Sequence, residues 1–191
     1  MKVIDQKNLT EAVEALENGQ TIIFPTETSY GLGGDATNQE AVDKIFKIKG
    51  RKSDKPLLVV VPSIEMAREY LVWNKTVEHI ANSYWPGALT VVGEWNKKEK
   101  LASGIVSANG TIAVRVTNHP VAKFLSEKLG RPVVATSANL ADAGDIYDSK
   151  KISVKSDILI DGGVLPHNPP TTIVSVVKNL QILRQGQIKI L

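Results

Sequence analysis

The sequence predicts a mixed α/β fold, of α/β or α+β class, in which an open twisted mixed sheet is flanked by helices. Segments with helical periodicity and short aliphatic runs typical of strands occur along the whole chain, without the strict alternation of a doubly wound sheet. The composition is 42% hydrophobic and only 5% aromatic, which is typical of a globular protein with an aliphatic core. We therefore expect residues 1–191 to form a single domain.

The amino-terminal region predicts a helix followed by a strand. Apolar residues between Leu9 and Leu16 recur at i, i+3, i+4 and i+7, and Gly19 stands where such a helix would end. The run Thr21–Phe24 is typical of a short buried strand, which Pro25 ends because proline cannot donate to a β-ladder.

The middle of the chain predicts helices and strands in mixed order. A second helix has its apolar face between Val42 and Lys49, a cap at Thr37 or Asn38, and its end at Gly50. It is followed by a strand at Leu57–Val61, helices near Ile64–Leu71 and Lys75–Ser83, and strands at Leu89–Val92 and Ile112–Val116.

The carboxy-terminal third begins with the clearest helix, in which Pro120 occupies the first turn and Gly130 follows the last apolar residue. The long segment Ala141–Ser156 is expected to be a mobile connection. Short strands are predicted at Val133–Ala135, Ile158–Asp161, Thr172–Val177 and Gln181–Arg184.

Composition excludes several classes of chemistry. The chain has no cysteine, which rules out disulfides and thiolate catalysis, and its three histidines show no metal-ligand spacing, so we expect no protein metal site. The net charge of +3 favours an anionic ligand or RNA only slightly. The amino terminus has no apolar signal segment and the longest aliphatic run, Leu57–Val61, is far too short to span a bilayer, so we expect a cytoplasmic protein that does not enter a membrane.

The stretch FPTETSYGLGG, residues 24–34, places a polar cluster directly after the first predicted strand. Its glycines fit neither a Walker loop, which needs Gly-Lys-Ser/Thr, nor a dinucleotide fingerprint. A simple turn that uses glycine for positive φ is one interpretation. However, Thr26, Glu27, Thr28 and Tyr30 crowd onto the same turn, which favours a ligand-binding role.

A cationic segment, KIKGRKSDKP at residues 47–56, follows the second helix. A solvated charged face is the default interpretation of such a run. Lys49 and Arg51 nevertheless bracket the helix end and lead into a buried strand, so they could face a cleft and bind polyphosphate.

Two further candidate sites lie on a predicted strand or directly after one. Ser137 and Asn139 of the TSAN segment alternate onto one side at a strand end, where they could form a turn or bind a ligand. Arg115 lies among aliphatic residues and must be paired with an acid, exposed, or available to an anion.

Five motifs occur in the order found in one known family. They are PTETSYGLG, the Lys49-x-Arg51 pair followed by Lys55-Pro56-Leu57, WPGALT at residues 85–90, AVRVTNHP at residues 113–120, and ATSANL at residues 135–140. The chain, from about Ile4 to Arg184, resembles the YrdC/TsaC family of threonylcarbamoyl-AMP synthases in its minimal form, without the carboxy-terminal extension of longer members.

The resemblance implies a concave, basic cavity and a nucleotidyltransferase. L-threonine, bicarbonate and ATP, with Mg²⁺, would give threonylcarbamoyl adenylate and pyrophosphate for threonylcarbamoyladenosine in tRNA next to the anticodon, and a separate transferase complex would consume the adenylate. An alternative is a paralogue of the same fold that binds tRNA or double-stranded RNA without synthase activity.

The resemblance also assigns site residues. Lys49 and Arg51 would be catalytic. Threonine would contact Thr26, Arg115, Ala135 and Thr171. ATP would contact Lys49, Arg51, Ser53, Thr111, Ser137, Asn139, Asp145 and Arg184.

Four positions depart from the family pattern. Val60 stands in a run where members often carry a histidine, and Pro170 replaces the glutamate that often precedes the threonine-binding hydroxyl. Ala141 and Asp142 replace the usual Ser-Gly after the Ser-x-Asn motif. These changes concern the threonine pocket and the segment that we expect to act as a lid, either Ala141–Ser156 or the tail around Arg184.

Overall fold

The structure is a computed structural model that describes residues 1–51, 55–140 and 144–190. Within these ranges it contains five α-helices, which are α1 Leu9–Glu17, α2 Gln39–Lys49, α3 Ile64–Tyr70, α4 Lys75–Tyr84 and α5 Pro120–Leu129. Strands β1 to β6 are Lys2–Asp5, Ile22–Pro25, Tyr30–Gly33, Val59–Val61, Leu89–Glu94 and Thr111–Val116. Strands β7 to β11 are Val133–Val134, Thr136–Ser137, Ile158–Asp161, Thr172–Ser175 and Gln181–Arg184.

The helix boundaries follow the capping signals in the sequence. Asn38, rather than Thr37, caps α2, because its side-chain oxygen accepts a hydrogen bond from the backbone N–H of Ala41 at 3.1 Å. Gly50 and Gly130 end α2 and α5 in the left-handed conformation, with φ of 59° and 66°. All five predicted helices are therefore confirmed.

The predicted mixed sheet flanked by helices is confirmed as a fold class, but its strands are divided between two sheets. The first sheet has the order β1-β9-β2-β3-β8, and the second has the order β11-β10-β5-β6-β4-β7. Both combine parallel and antiparallel pairs. The chain passes from β7 of the second sheet to β8 of the first through the single residue Ala135, which brings the two sheets together there.

Three strands, β1, β3 and β8, were missed in the sequence. Strand β8 has only two residues, Thr136 and Ser137, which were expected to follow the end of a strand. Strand β1 has a single buried residue, Ile4, so it shows no alternating pattern. Strand β3 covers Tyr30–Gly33, where the glycines suggested a turn; it instead forms an antiparallel hairpin with β2. The turn is confined to residues 26–29, and none of Gly31, Gly33 and Gly34 has a positive φ. The described part of the segment Ala141–Ser156, which was expected to be a mobile connection, contains a short 3₁₀ turn at Ser149–Lys151.

Gly33 is required by close packing rather than by backbone conformation. A Cβ atom at this position would lie 2.2 Å from the carbonyl oxygen of Val134 and 2.7 Å from the ring of Phe24. The hairpin can approach β7 this closely only because residue 33 has no side chain.

We expect Gly33→Ala to lower the free energy of unfolding by about 1–3 kcal/mol, because backbone atoms must move to make room for the methyl group. Urea unfolding followed by tryptophan fluorescence measures the change. Gly144→Ala is the control, since a Cβ there meets nothing within 4 Å. Equal stability of the two variants would contradict this account of Gly33.

The two faces of the second sheet have different environments. Val59 and Val61 of β4 belong to one hydrophobic cluster, whereas Val60 belongs to another, together with Val121 and Leu125 of α5. Val60 is in register with Arg115 of β6. Helix α5 thus covers the Val60 face near β4, while the same face farther along the sheet borders a cavity.

Candidate active site

A cavity of about 440 Å³ lies between the β2–β3 hairpin and the second sheet. This volume is within the roughly 300–1,000 Å³ of small-molecule sites. Among the residues that the structure describes, the cavity is lined by the cations Arg51, Arg115 and Arg184 and by the acidic residue Asp145. Other lining residues are Thr26, Thr28, Ser29, Thr90, Ala135, Thr136, Ser137, Pro170 and Thr171. Polar groups from distant segments therefore converge on one cavity.

Strand register explains why Arg115 borders the cavity. Val92 of β5 is opposite Ala113 of β6, and Ile173 of β10 is opposite Thr90 of β5. Because side chains alternate along a strand, Thr90 and Val92 share a face, as do Ala113 and Arg115. These residues all line the cavity, whereas Val91 and Val114 belong to the buried core.

The hairpin turn has a fixed hydroxyl at its first position. Thr26 donates through Oγ1 to the carbonyl oxygen of Ser29 at 2.7 Å, and the same Oγ1 accepts from the backbone N–H groups of Thr28 and Ser29 at 3.2 and 3.3 Å. This arrangement is a local side-chain turn. It holds Thr26 at the cavity wall and leaves it only 5% exposed.

Arg115 is paired with Glu27 and also borders the cavity. Its Nε lies 3.6 Å from Oε1 of Glu27, and its side chain is only 4% exposed. Burial lowers the pKa of Arg115, and the charge of Glu27 opposes this shift. The sequence left open whether Arg115 is paired with an acid, exposed, or available to an anion. The structure shows that it has an acidic partner and also lines the cavity.

Lys49 is bonded to the segment that carries Ser137 and Asn139. Its Nζ donates to the carbonyl oxygens of Ser137 and Asn139 at 2.7 and 2.9 Å, and to Oδ1 of Asn139 at 3.0 Å. Oγ of Ser137 donates to the same Oδ1 at 2.7 Å. An ammonium group has three N–H donors, so Lys49 binds this segment with all of them.

Two arginines flank the cavity and are anchored on backbone oxygens. Nε and Nη2 of Arg51 donate to the carbonyl oxygens of Lys55 and Pro56 at 3.1 and 3.2 Å. Nη2 of Arg184 donates to the carbonyl oxygen and to Oγ1 of Thr171, at 2.9 and 3.0 Å. The anchored guanidinium groups give the cavity fixed positive charge, which suits an anionic ligand.

The predicted residues fall into three groups by position. The structure brings to the cavity Thr26, Arg51, Arg115, Ala135, Ser137, Asp145, Thr171 and Arg184, with Lys49 and Asn139 directly behind Ser137. Thr111 is not among the lining residues, and its hydroxyl is hydrogen-bonded to Oγ of Ser107 at 2.7 Å. Ser53, Ala141 and Asp142 lie outside the described residues. Of the departures from the family pattern, Val60 is buried beneath α5 and Pro170 lines the cavity.

The sequence analysis did not single out two residues of the candidate site, Thr90 and Glu27. Thr90 is fully buried in β5, and its Oγ1 lies 3.1 Å from Oγ1 of Thr171. A hydroxyl inside an aliphatic strand was the available signal, and it becomes informative only when the neighbouring strand is known. Glu27 was noted within the polar cluster, but its pairing with Arg115 joins positions 88 residues apart and cannot be seen in the sequence.

Comparison with protein families shows which family the chain belongs to. The model of the Sua5/YciO/YrdC family, whose description reads "Telomere recombination", matches residues 14–186. The chain belongs to this family. The resemblance predicted from the five motifs is thereby confirmed.

Individual relatives extend the comparison. A threonylcarbamoyl-AMP synthase of Bacillus subtilis is 32% identical over 182 residues, which are 92% of this chain and 52% of that protein. The chain therefore spans about half the length of that relative. A threonylcarbamoyl-AMP synthase of Vibrio vulnificus is 30% identical over 187 residues, which are 94% of this chain and 98% of that protein. The crystal structure of Sua5 of Pyrococcus abyssi complexed with L-threonine has a TM-score of 0.88 and 30% identity, over 97% of this chain and 56% of that one.

Proposed function

We propose that this chain is a threonylcarbamoyl-AMP synthase, which converts L-threonine, bicarbonate and ATP into threonylcarbamoyl adenylate and pyrophosphate. One observation carries the proposal: residues predicted separately for threonine and for ATP, from segments distant in the sequence, line one cavity. The names of the B. subtilis and V. vulnificus relatives and the threonine-bound P. abyssi structure support it.

The threonine end of the cavity is assigned to the hairpin and the second sheet. The guanidinium group of Arg115 would bind the threonine carboxylate, because its planar donors match a carboxylate. Hydroxyls of Thr26 and Thr171 and the backbone at Ala135 would make the other contacts, since all three residues border the same space. Thr90 adds a hydroxyl next to that of Thr171.

The ATP end is assigned to the anchored cations. Arg51 and Arg184 would bind phosphate oxygens, with Ser137 and Asp145 at the same wall. Lys49 holds the segment of Ser137 and Asn139 in place and adds positive charge close to it. Ser53 and Thr111 stay predictions from the resemblance.

The charge of Lys49 gives this assignment a pH dependence. Burial, together with the nearby charge of Arg51, lowers the pKa of Lys49 from 10.5 to about 8, although the charge of Asp145 opposes this shift, so the ammonium group loses its proton as the pH rises through about 8. The neutral amine has one donor fewer and no charge.

We expect ATP to bind about tenfold more weakly at pH 9.5 than at pH 7, which is the order of one charged hydrogen bond. Isothermal titration calorimetry at several pH values measures this. The Lys49→Arg variant is the control, because arginine stays charged over the whole pH range. The affinity of this variant for ATP should therefore change less with pH. If the ATP affinity of both proteins depends equally on pH, the charge of Lys49 does not contribute to nucleotide binding.

Mg²⁺ would enter as part of the substrate, bound to ATP. Among the described residues, no three acidic, histidine or cysteine side chains group into a metal site. Mg²⁺ in nucleotide sites commonly uses one or two carboxylates plus phosphates and water, so the carboxylate of Asp145, which lines the cavity, fits this role. When bound, the ion neutralises charge on phosphate oxygens.

Catalysis would rest on positioning rather than on a protein nucleophile. The threonine nitrogen forms a bond to the bicarbonate carbon with loss of water, which gives a carbamate. A carbamate oxygen then attacks the α-phosphorus of ATP, and the bond to pyrophosphate breaks. Holding reactants in attack geometry can lower the barrier by about 7–11 kcal/mol. Arg51 and Arg184 would stabilise charge on the phosphates and on the departing pyrophosphate.

The adenylate would then serve tRNA modification. It is a reactive mixed anhydride, so a transferase that moves the threonylcarbamoyl group to the tRNA must act next.

Among the described residues, no helix combines the length and apolar character needed to cross a membrane. The cytoplasmic location expected from the sequence stays a prediction.

The test is mass-spectrometric detection of threonylcarbamoyl adenylate. Purified protein is incubated with ATP, Mg²⁺, L-threonine and bicarbonate, and each component is omitted in turn. We expect the adenylate and pyrophosphate only in the complete mixture. The RNA-binding alternative predicts no adenylate and an RNA affinity that falls steeply with salt; that outcome would overturn the synthase proposal.

A further inference from the structure

A buried ionic cluster lies directly behind the proposed threonine site. Glu27 follows Thr26 in the hairpin turn, yet its side chain is only 11% exposed, because it turns inward toward Arg115. Oε2 of Glu27 accepts a hydrogen bond from Oγ1 of Thr117 at 2.9 Å, and the carbonyl oxygen of Glu27 accepts from Nδ2 of Asn168 at 3.0 Å. Glu27 is thus held in place through both its side chain and its main chain.

Incomplete hydrogen bonding is concentrated in this cluster. Among the described residues, five buried side-chain atoms lack a hydrogen-bond partner, and three of them are Oε1 of Glu27, Nε of Arg115 and Nδ1 of His119. His119 belongs to this region because its backbone N–H donates to Oγ1 of Thr117, the partner of Glu27, at 3.1 Å. Oε1 and Nε face each other at 3.6 Å, which is an ion pair slightly too long for a hydrogen bond. Because buried polar atoms are normally satisfied, such a concentration is typical of a functional region rather than of a structural core.

We infer that Glu27 is a positioning residue that fixes the guanidinium group of Arg115 for recognition of the amino-acid carboxylate. This inference rests on the proposed function and adds a residue to its threonine site. Glu27 does not line the cavity, so it acts through Arg115.

Geometry explains how the carboxylate would orient the arginine. Glu27 faces Nε of Arg115, which leaves the two terminal nitrogens as the donors that can fork onto a carboxylate. The same carboxylate ties the turn of Thr26 to Thr117, which directly follows β6. One side chain therefore fixes the relative position of Thr26 and Arg115, the two predicted threonine contacts on either side of the cavity.

The test replaces Glu27 with glutamine, which keeps the shape and an acceptor for Thr117 but removes the charge. We expect the Kd and KM for L-threonine to rise about 10-fold to 10²-fold, since misplacing a binding group can cost that much. The kcat and the affinity for ATP should change little. Glu17→Gln, on an exposed helix end, is the matched control.

A double-mutant cycle with Arg115→Lys shows whether Glu27 acts through the arginine. If it does, Glu27→Gln has a much smaller effect on threonine affinity when residue 115 is lysine. Thr117→Val is a second variant, which keeps the charge of Glu27 and removes the hydrogen bond that orients its carboxylate, together with the bond that Oγ1 of Thr117 accepts from the backbone N–H of His119. It should weaken threonine binding by a smaller factor and provides the test if Glu27→Gln does not fold.

Binding and turnover separate this inference from the proposed function. Threonine affinity is measured by calorimetry without ATP, so it does not require synthesis of the adenylate. Unchanged threonine affinity in a folded Glu27→Gln variant, or a full effect of Glu27→Gln in the Arg115→Lys background, would overturn the inference even if the wild-type protein makes the adenylate. A wild-type protein that binds threonine but makes no adenylate would overturn the proposed function and leave the role of Glu27 intact.

Discussion

Arg51→Ala is expected to lower the turnover of adenylate formation by about 10²-fold or more, because removing a preorganised donor that stabilises transition-state charge commonly costs that much. Arg51 borders the cavity and is anchored on the carbonyl oxygens of Lys55 and Pro56. Its charge is therefore fixed before the substrate arrives. Initial rates of pyrophosphate release at saturating ATP and threonine measure the change.

Lys55→Ala is the matched control for Arg51, since it removes the same charge from an exposed side chain in the same segment. Its carbonyl oxygen, which anchors Arg51, is retained. We expect this control to keep turnover within about twofold of the wild type, because exposed charges are largely screened. Similar turnover in Arg51→Ala and wild type, with both proteins folded, would remove Arg51 from the site.

Arg115→Lys is expected to raise the KM for L-threonine by about 10-fold to 10²-fold, because a bidentate charged pair is replaced by a point charge. The substitution keeps a positive charge next to Glu27, so the buried carboxylate does not lose its counter-ion. The affinity for ATP should be nearly unchanged. Steady-state kinetics with varied threonine and saturating ATP measure the KM.

Arg68→Lys controls for the general effect of exchanging arginine for lysine. Arg68 pairs with Glu78 on the surface, and its side chain is 46% exposed. This variant should keep the wild-type KM. If Arg115→Lys also keeps it, Arg115 has only the structural role of pairing with Glu27.

The sequence was sufficient to predict features that depend on residues close together along the chain. Helix α5 has proline at its first position and Gly130 in the left-handed conformation beyond its end, as the local signals require. The predicted strands follow apolar runs whose pattern reflects burial, such as Ile158–Asp161. The site motifs were also visible, because polar residues such as Ser137 stand out at the end of an apolar strand.

Features that depend on distant residues were not predictable. Tyr30–Gly33 has the composition of a turn and is a strand because Phe24 and Val134 pack against its glycines. The division into two sheets depends on Ala135, which has no distinctive local signal. Likewise, the sequence placed Lys49 with the phosphate-binding cations, whereas the structure shows its three donors bound to the Ser137–Asn139 segment.

The central claim is that one cavity holds ATP and threonine side by side. A crystal structure with L-threonine and a non-hydrolysable ATP analogue tests it most directly. We predict the threonine carboxylate within hydrogen-bonding distance of Arg115, the phosphates next to Arg51 and Arg184, and the amino group facing the α-phosphorus. Ligands bound in separate places, or phosphates distant from Arg51 and from the Ser137 segment, would contradict the account.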